Sequence, residues 1–132
     1  MRLYPELAEL VRLSAWVDQL AQQMNMSPSQ LYAVQLCLEE LVANVVLHAR
    51  PASDAPLSIE VDVAPAPSGV SVRVADNGRA FDPIGAAPNA PSTNLDDAPL
   101  GGLGLVLVRK FAQSLSYRRD GLWNEVLLGI TG

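Results

Sequence analysis

The chain has 132 residues, with 14 acidic side chains against 9 basic ones, one cysteine, one histidine and a formal net charge of −5. That length suits one domain, and a composition 49% hydrophobic can close a core, which excludes a disordered tail or polar linker. The acidic balance argues against nucleic acid, whose phosphates need clustered Lys and Arg. Lone Cys37 excludes a disulfide framework or multi-cysteine metal site.

The start, Met1-Arg2-Leu3-Tyr4-Pro5-Glu6, carries charge too early for a signal peptide. Pro5 opens a helical pattern in which Leu7, Leu10, Val11, Ser14, Val17, Leu20, Ala21 and Met24 recur at three and four residues. Leu13, Trp16 and Leu20 form a second apolar line. Trp16 reads as part of a wide core stripe or as the anchor of a partner contact. Ser27, Pro28 and Gln30 then make a capping-box start for a second helix to about His48, with Leu31, Val34, Leu38, Leu41, Val42 and Val45 as its core stripe. Residues 57–63 and 70–74 alternate apolar and polar and form a hairpin across Pro65–Gly69. From Asp76 to Gly104 prolines and glycines exclude regular structure, and a loop of that length inside a domain reads as a functional lid or disorder. Gly101-Gly102 leads into an apolar helix to Phe111, and two strands near 114–119 and 123–130 turn at Asp120-Gly121. No apolar run approaches the roughly 18 residues of a membrane span, so a cytoplasmic protein without membrane contact is expected.

Three blocks carry chemistry. Glu40, Asn44 and His48 stand four apart, and each step drifts only about 40° around a helix, so they share one face. A carboxylate and a carboxamide stacked this way can serve a hydrated Mg²⁺; the same pattern is also an ordinary polar helix face. Glu39 points elsewhere, as a solvated charge. Asp76-Asn77-Gly78 is either a plain turn or a site where Asp76 accepts a hydrogen bond from a ligand amino group and Gly78 admits a flat ring. Gly101-Gly102-Leu103-Gly104 opens a helix whose free N–H groups suit phosphate; a flexible linker is the bland alternative. It is neither a Walker A loop nor a dinucleotide fingerprint.

In combination, Glu-x-x-x-Asn-x-x-x-His, Asp-x-Gly and Gly-Gly-x-Gly-Leu resemble the N, G1 and G2 boxes of the GHKL (histidine kinase-like) ATPase superfamily of gyrase, MutL and histidine kinases. Within it, the segments from Leu38 to His48, Asp76 to Pro83 and Leu100 to Lys110 resemble the RsbW-like anti-sigma factor serine/threonine-protein kinases of bacterial partner-switching systems. The resemblance spans nearly the whole chain. It implies an α/β (α+β) sandwich of the Bergerat ATP-binding type. The sheet would be mixed, mostly antiparallel, with four or five strands and helices on one face. Residues 1–132 would form a single domain with an ATP lid at about 83–100.

The resemblance also implies ATP and Mg²⁺ as cofactors. Asn44 would hold Mg²⁺ against the phosphates, Asp76 would bind the adenine amino group, and Gly78 would lie beneath the ring with Phe81 in the same block. Gly101, Gly102, Leu103, Gly104 and Leu105 would meet the phosphates. Glu40 would be catalytic, orienting or deprotonating the attacking hydroxyl, and His48 would support the helix end or approach the phosphates. Two features depart from the family: Ala80 replaces a common second glycine, and a first strand at Arg2-Leu3-Tyr4 is very short.

The implied activity is phosphorylation of a serine or threonine on an anti-anti-sigma (STAS-domain) partner, together with capture of a sigma factor. A homodimer would use the open sheet face. The alternative is a nucleotide-binding module that sequesters a partner without transferring phosphate. A detached sensor histidine kinase domain is disfavoured, because it would need a separate helical phosphoacceptor and His48 falls inside the ATP site.

Overall fold

The computed structural model describes residues 1–84 and 100–131, with 100–104 described by backbone alone. In chain order the elements are β1 (Arg2–Leu3), α1 (Glu9–Gln23), α2 (Pro28–His48), β2 (Ile59–Ala66), β3 (Gly69–Asp76), α3 (Leu100–Phe111), β4 (Ser114–Asp120) and β5 (Trp123–Thr131). The strands run in the order β1-β2-β3-β5-β4, every neighbouring pair antiparallel. The sheet expected to be mixed is therefore wholly antiparallel. Its last strand in sequence, β5, is inserted between β3 and β4.

Local chemistry accounts for the boundaries. The first helix starts at Glu9 rather than Pro5, because the Glu9 carboxylate accepts from the Tyr4 N–H at 3.0 Å and from Arg12 at 2.6 Å, and Arg12 also donates to the Arg2 carbonyl at 2.8 Å. It ends with Asn25 in the left-handed region (φ 53°) and a bond from the Met26 N–H to the Ala21 carbonyl, a Schellman arrangement. Ser27 caps α2 by accepting from the Gln30 N–H at 3.1 Å. The capping box is only half made: the Gln30 side chain is buried and donates to the Ile130 carbonyl at 3.4 Å. Both hairpins close through two residues, Pro67-Ser68 and Gly121-Leu122. Gly121 has φ 61°, which a tight hairpin loop requires at that position.

The core lies between the helices and one sheet face. Leu13, Val17 and Ala21 of α1, and Ala33, Val34, Cys37, Leu38, Leu41 and Val42 of α2, cover Ile59, Val61, Val70, Val72, Val74, Val126, Leu128 and Ile130. Trp16 packs against this cluster as part of the core stripe, while Leu7 and Val11, read as core, are exposed. Burial pushes the Cys37 thiol up to about 11. By length and composition α2 could cross a membrane, contrary to the sequence reading; here it is the helix that covers the sheet. The ring of Tyr32 near the start of α2 meets that of Phe111 at the end of α3, at 5.9 Å and edge to face. The end of α3 thus lies beside the start of α2.

The opposite sheet face carries a row of alternating charge. Arg2 pairs with Glu60 at 3.1 Å, Arg73 with Glu60, Asp62 and Glu125, and Arg118 with Glu125 at 2.5 Å. Arg118 and Arg73 hold the Glu125 carboxyl below its usual range.

Candidate functional site

The C-terminal half of α2 carries Glu40, Asn44 and His48 on one side. Glu40 and Asn44 are half-buried, and His48 is exposed in the last turn. Glu39 is exposed, as its reading as a solvated charge requires. The Glu40 carboxyl is raised, first by burial and second by repulsion from Glu39.

Beyond His48 the chain turns and clamps the end of β3. The Arg50 carbonyl accepts from the Arg79 N–H at 2.8 Å, and Pro51 and Gly78 form an isolated antiparallel bridge. Asn77 fastens the other side: its Oδ1 accepts from the Ser58 N–H at 2.6 Å, and its amide donates to the Pro56 carbonyl at 3.0 Å. The end of the helix bearing Glu40 and Asn44 is thereby tied to the Asp76 loop.

Asp76 is 8% exposed. Its Oδ1 accepts from the Gly78 N–H at 2.9 Å and from Asn124 Nδ2 at 3.0 Å. Asn124, directly opposite Asp76 in the β3–β5 ladder, also donates to the Arg79 carbonyl at 2.8 Å. Its Oδ1 accepts from Tyr117 at 2.6 Å and from the Phe81 N–H at 3.2 Å. Arg119 donates to the Gly78 carbonyl at 2.8 Å. Phe81 is 57% exposed. Asn124, Tyr117 and Arg119 went unnoticed in the sequence. The available signal was Asn124 standing in register with Val126, Leu128 and Ile130, a polar residue on a strand's apolar face.

Gly78 is buried without a positive φ; its smallness answers to space. A Cβ there would lie 2.9 Å from Asp76 Oδ1, 3.0 Å from the Arg50 carbonyl oxygen and 3.3 Å from Leu57. The change Gly78→Ala is expected to push Asp76 and the Arg50 strap apart. Expected outcomes are at least a tenfold loss of nucleotide affinity and about 1–3 kcal/mol of stability. Ligand titration and thermal unfolding check this, and unchanged affinity would count against Gly78 as a ring-contact position.

Gly101, Gly102, Leu103 and Gly104 form the first turn of α3. The backbone N–H groups of such a turn lack intrahelical acceptors and suit anionic oxygen. Leu105 is half-buried and packs against the core. Arg109 donates to the Ile84 carbonyl at 2.8 Å. Most of the expected lid, residues 85–99, lies outside the described residues.

Among the described residues no three His, Cys, Asp or Glu side chains gather as a metal cage. One carboxamide, that of Asn44, fits Mg²⁺, which keeps waters and phosphate oxygens as its other ligands. A depression of about 520 Å³ lies away from these residues, on the open sheet face between Asp62, Ser71, Ser116 and Gly129.

An α+β domain with an antiparallel sheet, helices on one face and these groups at one end is the architecture of the histidine kinase-like ATPases. The family model for the histidine kinase-like ATPase domain matches residues 3–130, and the chain belongs to that family. It is 35% identical over 113 residues to the serine/threonine-protein kinase BtrW of Bordetella bronchiseptica, covering 86% of this chain and 79% of that protein. Its fold is similar to the histidine kinase domain of the blue-light activated histidine kinase of Erythrobacter litoralis EL346, with a TM-score of 0.56 and 17% identity. That match covers 95% of this chain, which spans 60% of the length of the solved one.

Proposed function

We propose that the chain is a protein serine/threonine kinase that takes the γ-phosphate of ATP to a hydroxyl on a separate protein. The observation that carries this reading is Glu40, a half-buried carboxylate with a raised pKa, one helical turn before Asn44. The identity to BtrW, named a serine/threonine-protein kinase, supports it. On this reading Asp76 accepts the adenine amino group, Gly78 and Phe81 border the ring, and Asn44 holds Mg²⁺. The turn Gly101-Gly102-Leu103-Gly104-Leu105 receives the phosphates, and His48 closes the helix end beside them. Glu40 orients or deprotonates the incoming hydroxyl. Bound Mg²⁺ supplies neutralisation of the charge that builds on the phosphates.

Residues 1–132 act as one domain, with a lid over about 83–100. The acceptor is an anti-anti-sigma protein of the STAS type, and a sigma factor is the second partner. The kinase is a cytoplasmic homodimer that regulates transcription by partner switching.

The test is incubation with γ-labelled ATP, Mg²⁺ and a STAS-domain protein. Label on a partner serine or threonine is expected. A nucleotide-dependent complex that stays unlabelled would replace the kinase with a sequestering module.

A further inference from the structure

Asn124 is 4% exposed, and every hydrogen-bonding position on its amide is in use. Its two N–H bonds serve three oxygens: Asp76 Oδ1 at 3.0 Å, the Arg79 carbonyl at 2.8 Å and, more distantly, the Gly78 carbonyl at 3.4 Å. Its carbonyl takes two donors, the Tyr117 hydroxyl and the Phe81 N–H. A carboxamide has two donors and one two-pair acceptor, so none is left for a ligand. What Asn124 does instead is settle Asp76. With Asn124 and the Gly78 N–H both on Oδ1, that oxygen is satisfied. Among the described residues Oδ2 makes no hydrogen bond. The carboxylate is therefore turned so that a single oxygen, an acceptor only, is available to an incoming base.

We infer that Asn124, locked by Tyr117, is the positioning residue of the base site. It orients Asp76 to accept a hydrogen bond from an exocyclic amino group, and so makes the pocket reject a purine that carries a 6-oxo group instead. The inference rests on the ATP reading given above and assigns the source of its base specificity. The tyrosine matters because an amide free to flip would present its oxygen to Asp76. The Tyr117 hydroxyl, held at 2.6 Å to the amide oxygen, fixes the orientation that donates. Both residues come from the β4–β5 hairpin, more than 40 residues after Asp76: Asn124 stands directly across the ladder from Asp76, and Tyr117 lies on the next strand, paired with Val126.

The experiment measures dissociation constants of the full chain for ATP and for inosine triphosphate, its 6-oxo counterpart. The unaltered protein is expected to prefer ATP by about 100-fold or more, since sites built on a buried polar partner discriminate strongly. Asn124→Asp is isosteric but puts a second acceptor against Asp76. It should weaken ATP binding about 10- to 100-fold, the scale of a lost charge-assisted hydrogen bond, and bring the ATP preference below about tenfold. Tyr117→Phe should give a smaller loss of preference, with the fold intact. If the aspartate variant does not fold, Asn124→Thr, which keeps one hydroxyl donor, together with Tyr117→Phe, carries the test. A preference unchanged while both affinities fall equally would make the role merely structural and overturn the inference. An unaltered protein that binds both nucleotides alike would overturn the base reading itself, and the inference with it.

Discussion

Glu40→Ala is expected to lower phosphate transfer to the partner protein by about 10²- to 10⁴-fold, the range for removing a positioned base. The dissociation constant for ATP should stay within about threefold. Glu40 sits on the α2 side of the site, whereas the base loop is built by Asp76, Gly78 and Asn124. Single-turnover transfer with γ-labelled ATP, beside a nucleotide titration, separates the two effects. Normal transfer by the variant would refute the role. The pH dependence gives a second check. A base works only when deprotonated, and burial and then Glu39 both raise the Glu40 carboxyl. The acid limb of the transfer rate should therefore lie above the roughly 4.3 of an ordinary glutamate. Glu39→Gln removes the repulsion, and so should move that limb to lower pH; burial remains and keeps it above the ordinary value.

Asp76→Asn is the second large effect. Asp76 Oδ1 already receives the Gly78 N–H and Asn124 Nδ2. In the variant the same donors will hold the amide oxygen, and the new NH₂ will occupy the place of Oδ2. A donor then faces the amino group of adenine. ATP affinity should fall about 100-fold or more, because an acceptor is lost and a buried donor is left opposed to another donor. The 6-oxo nucleotide should lose far less, narrowing or inverting the preference. Since both intramolecular bonds survive the change, thermal stability should shift by less than about 1 kcal/mol. Undiminished ATP binding in a folded variant would remove Asp76 from the site.

Most of the architecture was legible because the two periods are unmixed. Alternation in 57–63 and 70–74 and the threefold-fourfold spacing on α2 leave one way to bury each face. The first helix was harder. Apolar residues surround it on most sides, so Leu7 and Val11 were assigned to the core that Leu13, Val17 and Ala21 fill. Its start was misplaced because a carboxylate five residues on, Glu9, captures the Tyr4 N–H. A side-chain-to-backbone bond of that kind leaves no trace in propensity. The capping box is missing its second half because the Gln30 side chain is directed to the Ile130 carbonyl, 100 residues away, instead of to its own helix end.

The site divides along similar lines. Glu40, Asn44, Asp76 and Gly78 stood out through spacing and family resemblance. The Arg50 carbonyl that pins Arg79 has no sequence signature, because every residue carries a carbonyl. Asn124 did have one, a lone amide in the register of Val126, Leu128 and Ile130, and a face-by-face reading of β5 would have found it.

The place of β5 has a consequence for synthesis. The strand made last of the five sits inside the sheet and brings Asn124 to Asp76 across a separation of 48 residues. Chains emerge from the ribosome N-terminus first, and contacts distant in sequence form slowly. A nascent chain that has completed α2, β2 and β3 already holds Glu40, Asn44 and Asp76. It still lacks the strand whose Asn124 donates to Asp76. On the proposed reading the base site is complete only once residues 123–131 are available, so a chain released before β5 is expected not to bind nucleotide.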